Sequence, residues 1–240
     1  VVTLLLALVG TFIGCLIGFV VGLIQTIPVG PNTGAGKRVF YKIVRWLLDA
    51  YVELFRGTPM IVQAMVVYYG SMSVFDIDMS AMFAGFLVVS INTGAYMAET
   101  VRGGINSIDP GQTEAATAIG MNHYKTMRCV ILPQALRNIM PQIGNNLIIN
   151  IKDTSVLNVI SVTELYFSSK SAAGVYYKYF EVFFITCVIY FVMTFTVSRI
   201  LRWIEGRMEG PRDYQLVTYD PMHDPCGHFP LPTIKKEQEK

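Results

Sequence analysis

From Val1 to Ile27 the chain carries no charged residue. A helix needs about 20 predominantly apolar residues to cross the hydrocarbon core of a bilayer, and this run exceeds that length. It has neither a basic leader nor a convincing cleavage site, so it reads as a membrane span and not as a signal peptide. Similar blocks recur along the sequence, in which 52% of the residues are hydrophobic and only 15% charged. A chain of this kind folds in lipid, where every backbone polar group has to be satisfied within the protein, and helices do that segment by segment. The expected class is therefore an all-α integral membrane protein. The net charge of +2 gives no basic excess for nucleic acid.

Five transmembrane helices are expected, at about residues 1–27, 59–75, 81–99, 143–162 and 179–203. Gly10, Gly14, Gly18 and Gly22 recur at every fourth residue of the first and form a smooth ridge against which another helix can pack closely. Between the first and second spans, residues 39–55 are amphipathic. Phe40, Ile43, Val44, Leu47 and Leu48 make an apolar stripe, with Lys42, Arg45 and Asp49 opposite. This segment suits a helix at the membrane surface or packed on the other spans. Residues 163–178 read as a polar loop, and 211–240 as a polar cytoplasmic tail without apolar periodicity.

Basic residues are distributed unevenly. Lys37, Arg38, Lys42, Arg45, Arg102, Lys125, Arg128 and Arg137 follow the first and third spans. The loops after the second and fourth hold only Lys170 and Lys178. The positive-inside rule then places the N-terminus outside and the loop after the third span, with the C-terminus, in the cytoplasm.

That cytoplasmic loop contains a second local signal. Asp109-Pro110 has the chemistry of an N-cap followed by proline at the first helical position. Ala115, Ala116 and Ala118 favour helix, Glu114 lies near its positive end, and Gly120 suits the C-terminal stop. Glu114-Ala115-Ala116, Gly120, Val130, Leu132 and Pro133 together resemble the EAA signature of ABC-importer membrane subunits, with Val130 where the pattern has Ile. The strings YVELFRGTP at 51–59 and KDTS at 152–155 resemble the branch that carries polar amino acids.

The resemblance implies a type I importer fold with a cytoplasmic coupling loop at about 103–136. Glu114, Ala115, Ala116 and Gly120 would contact the ATPase. It further implies a prokaryotic plasma-membrane permease working with two ABC ATPase subunits, a second permease subunit, identical or not, and an extracytoplasmic solute-binding protein. No cofactor would be bound by this chain, because ATP would be used by the partner ATPase, and the chain itself would not be an enzyme.

For the solute, Asn92, Tyr96 and Glu99 share one helical face, and Asn146, Asn150 and Asp153 share another. Polar groups at such depth are expensive and face a cavity or a partner. Asp153 is the candidate for the α-ammonium of an amino acid, with Asn150, Asn92 and Glu99 beside it. Hydrogen bonding between spans is the other reading of these residues. Lys152 and Asp153 point about 100° apart on a helix and are not simple partners.

Other chemistry is thinly supported. The stretch ending in Gly36-Lys37 imitates a phosphate loop, but Gly30 is one position too close and Arg38 stands where Ser or Thr is needed. His223, Cys226 and His228 in the tail form a weak metal signal. No histidine lies in a span, which argues against an intramembrane hydrolase. A carrier driven by an ion gradient, using Glu99, Lys152 and Asp153, is the alternative function.

Overall fold

The computed structural model describes residues 1–28 and 34–208, the side chain of Met208 excepted, and contains helices and no strand among them. The tail with His223, Cys226 and His228 lies outside the described residues, as does Gly30. In chain order the helices are α1 (Val2–Thr26), α2 (Ala35–Gly57), α3 (Met60–Phe75), α4 (Ala81–Asn106), α5 (Pro110–Ala118) and α6 (His123–Thr126). A π turn (Met127–Ile131) leads into α7 (Leu132–Asp153), which ends in a 3₁₀ turn (Thr154–Ile160). α8 (Leu165–Tyr176) and α9 (Tyr179–Met208) follow.

α4 is the central element. α1 runs parallel to it, and the glycine ridge is the contact: Gly10 lies on Val89, Gly14 on Thr93, Gly18 on Met97 and Ala98, and Gly22 on Ala98 and Val101. Both helices advance by four residues per contact. A Cβ on Gly14 would sit 2.6 Å from the Thr93 Cβ, so only glycine permits this approach. At one end, Leu6, Ala64, Val88, Leu157 and Ile160 close a dry core between α1, α3, α4 and the 3₁₀ turn. At the other, Met97, Val101 and Ile105 pack on Ile131, Ala135 and Ile139.

Of the five expected spans, α1, α4 and α9 are each long and apolar enough to cross a bilayer alone. α3 is apolar but only 16 residues long, and α7 carries the polar face noted above. Several expected boundaries move. α4 continues past Glu99 to Asn106. α7 starts at Leu132 and runs through Pro141, giving up one backbone donor where a span boundary was expected. The expected polar loop at 163–178 is largely helix α8. Its serines do not break it because Ser168, Ser169 and Ser171 each donate to the carbonyl four residues earlier. Glu164, 2% exposed, caps it by accepting from the Tyr166 and Phe167 amides and the Tyr190 hydroxyl.

Candidate functional site

The break between α2 and α3 makes the first wall of a cavity. Arg56-Gly57-Thr58-Pro59 cannot continue α2, since Pro59 biases Thr58 toward extended backbone, and Thr58 has φ −115° and ψ 144°. The freed backbone groups are held by one buried side chain. Gln63 donates to the Phe55 and Thr58 carbonyls, each at 2.9 Å, and lies 2.8 Å from the Thr58 hydroxyl. Its Oε1 accepts from Asn92 of α4 at 2.9 Å. Replacing Gln63 with Leu therefore strands several buried polar groups. The purified complex should lose about 1–3 kcal/mol of stability, read as a lower thermal midpoint; an unchanged midpoint contradicts the pinning role.

Asn92, Thr93 and Tyr96 of α4 form the second wall, and Asn146, Ile149, Asn150 and Asp153 of α7 the third. The cavity has a volume of about 500 Å³. Asn150 is buried, and its amide donates to Thr11 of α1 at 2.7 Å and to Thr93 at 2.9 Å. Asn92 likewise donates to Gln63 and to the Phe55 carbonyl. Both asparagines thus line the cavity, and both tie helices together, as the interspan hydrogen-bonding reading expects. Asp153 differs. It is half-buried at the end of α7, lines the cavity, and makes no hydrogen bond or ion pair with any described residue. Lys152 is exposed.

Glu99 is not part of this lining, contrary to the sequence expectation. It lies one turn beyond Tyr96, where Arg56 approaches at 3.6 Å and Arg102 at 2.5 Å. Its carboxylate is shared between two guanidiniums. The cavity gains a cation instead: Arg56, over the Tyr96 ring at 5.8 Å from its centroid. The sequence reading met Arg56 only as part of the string at 51–59 and assigned it no place in the site. Its position beside the Gly-Thr-Pro break was the available signal.

At the other end of α4, the short helix α5 forms as its caps dictate. The Asp109 carboxylate accepts from the Gly111 amide at 2.8 Å. Gly120, at φ +82°, closes the helix with Gly120 and Met121 amides bonded to the Thr117 and Ala116 carbonyls. Glu114 and Ala115 are exposed. Ala116 is 4% exposed and turned into the chain, so the expectation that it faces a partner surface is corrected: α5 needs one side to rest on its own protein. Glu114 borders a depression of about 390 Å³ with Thr113 and His123, and Ile119 and Tyr124 project from the same loop.

Residues 18–210 match the family of binding-protein-dependent transport system inner membrane components. The chain is 32% identical over 208 residues to the arginine transport system permease protein ArtQ of Bacillus subtilis (strain 168), with 87% of this chain and 90% of that protein covered. It is 36% identical over 191 residues to the glutamine transport system permease protein GlnP of Escherichia coli (strain K12), covering 79% and 87%. A crystal structure of an amino acid ABC transporter with histidines matches with a TM-score of 0.76 at 38% identity, covering 85% of this chain and 90% of that one.

Proposed function

The chain belongs to the binding-protein-dependent transport system inner membrane components, and from that premise we propose that its α3/α4/α7 cavity passes a polar amino acid across the plasma membrane. A component of this family is the permease of an ATP-driven importer, and that membership removes the ion-gradient carrier. The catalytic ATPase belongs to the importer's partner components. The observation that carries the solute class is the unpaired Asp153 carboxylate in the same cavity as Arg56. An α-amino acid presents an ammonium and a carboxylate, and charge-assisted hydrogen bonds to both are the strong ones. With Glu99 engaged by Arg56 and Arg102, the lining holds one anion and one cation, which suits a zwitterion with an uncharged polar side chain. Relatives named for arginine and glutamine support the amino-acid class.

The assembly has two such permeases, two ATPases and an extracytoplasmic binding protein. The N-terminus faces outward, and α5 is cytoplasmic. α5 acts as the coupling helix: Glu114 and Ala115 meet the ATPase, helped by Ile119 and Tyr124, while Ala116 seats the helix on the chain and Gly120 lets it turn away. ATP biases the transporter because it binds the closed ATPase pair better than the open one. This chain's part is to let that closure move α5 and, through the core beneath it, α4 and α7.

The test is ATPase activity in liposomes with this chain, its ATPase and its binding protein. One loaded binding protein should stimulate hydrolysis severalfold, and Glu114→Lys should abolish uptake while the protein remains in the membrane. Wild-type uptake by Glu114→Lys sinks the coupling assignment, and stimulation by no amino acid sinks the solute class.

A further inference from the structure

α2 is longer than its position requires. Its C-terminal half packs on α4, with Val52 buried and the Tyr51 hydroxyl donating to the Ile91 carbonyl at 2.7 Å. Moving back along it, Asp49 accepts from Gln25 at 2.8 Å. Gln25 is in the last turn of α1, so α2 has reached the end of that span by Asp49. The preceding residues, 35–48, extend roughly 20 Å further at 1.5 Å per residue. They nonetheless leave Phe40, Ile43, Trp46 and Leu47 exposed, Trp46 by 67%. Lys37, Arg38, Lys42 and Arg45 occur in this half, which has no acidic residue. Among the described residues, Lys37 and Lys42 form no ion pair and the buried Arg45 Nε has no hydrogen-bond acceptor.

We infer that residues 35–48 of α2 lie in the cytoplasmic interface of the bilayer and select anionic phospholipid. The inference rests on the orientation proposed above. The apolar stripe enters the acyl boundary while the basic side chains reach phosphate, the arrangement of an interfacial amphipathic helix. A protein partner would be expected to offer carboxylates to these cations. The anionic cytoplasmic leaflet offers negative charge along the whole helix without any specific geometry. Because the last turn of α2 carries Arg56, lipid engagement also bears on the cavity wall.

Only two tryptophans occur in this chain, Trp46 and Trp203, so Trp203→Phe leaves Trp46 as its single tryptophan. The same complex carrying Trp46→Phe as well gives the signal of the partner subunits to subtract. Trp46 fluorescence is followed in vesicles containing brominated phosphatidylglycerol or brominated phosphatidylcholine at equal mole fraction. Phosphatidylglycerol should be preferred at least fivefold around Trp46, roughly what one basic residue contributes near an anionic surface. Lys37→Gln with Lys42→Gln and Arg45→Gln should reduce the preference toward unity. Equal quenching by both lipids overturns the inference, as does quenching by neither, which would mean that protein covers the stripe. The lipid comparison in Trp203→Phe stands without the charge variants. Binding-protein-stimulated hydrolysis in the same vesicles tests the transport function separately: stimulation without lipid preference sinks only the role of α2.

Discussion

Gly18→Leu should leave little assembled transporter in the membrane, whereas Gly103→Ala should accumulate and unfold like the wild type. Both glycines are helical, so the contrast isolates packing from propensity. A Cβ at Gly18 would meet the Met97 Cβ, with the Ala98 amide nitrogen at 2.7 Å and the Gly94 carbonyl oxygen at 2.8 Å. Two of those three obstacles are backbone, which no rotamer change relieves. Gly103 has nothing within 4 Å of the same added atom. Overpacking a tight core costs about 1–3 kcal/mol when side chains can yield, so Gly18→Ala should already lower the thermal midpoint. Leucine should separate α1 from α4 altogether. That separation also pulls Thr11 away from Asn150 and so loosens α7 at the cavity. Immunodetection in membranes and thermal unfolding in detergent measure the two effects. Wild-type behaviour of Gly18→Leu would mean that α1 does not pack on α4 along this ridge.

The glycine ridge was legible because its signal is local: four small residues at one spacing. Its partner was not, since nothing in the apolar run of α4 says which face receives it. The same division recurs elsewhere. Asp109, Pro110 and Gly120 act on their own backbone neighbours, and the short helix forms between them. Gln63 bonds Phe55, Thr58 and Asn92, the last 29 positions away, and as a lone glutamine in an apolar stretch it announces none of this. Glu99 was misplaced for a related reason. Helical periodicity put it on the face of Asn92 correctly, but the face does not reveal that Arg56 arrives from α2 to claim it. α8 was missed because its cap is buried by Tyr190, 26 residues later, and serine-rich composition looks like a loop until its hydroxyls have carbonyls to bond. Interactions within one turn are readable in advance. Those that close across the bundle become visible only with the fold.

Asp153→Asn should cut uptake by roughly 10- to 100-fold, with the complex still assembled and its binding protein still docking. The estimate follows from losing one hydrogen bond to a charged group, about 1.5–3 kcal/mol. Asparagine keeps the size of the side chain, and Asp153 holds no other described residue in place, so little structural damage accompanies the loss of charge. Arg56→Gln should be comparably severe through the substrate carboxylate. It has a second consequence that separates it from Asp153→Asn: Glu99 loses one of its two guanidiniums and keeps only Arg102. Glu99→Gln placed on Arg56→Gln should therefore recover part of the activity, while on Asp153→Asn it should recover none. Direct binding of radiolabelled amino acid to the permease, and not to the binding protein, is the measurement that tells these apart. Unchanged affinity in Asp153→Asn would remove the carboxylate from the site. Rescue of neither variant by Glu99→Gln, with both defective, would leave Arg56 and Asp153 in place and confine Glu99 to holding α2 against α4.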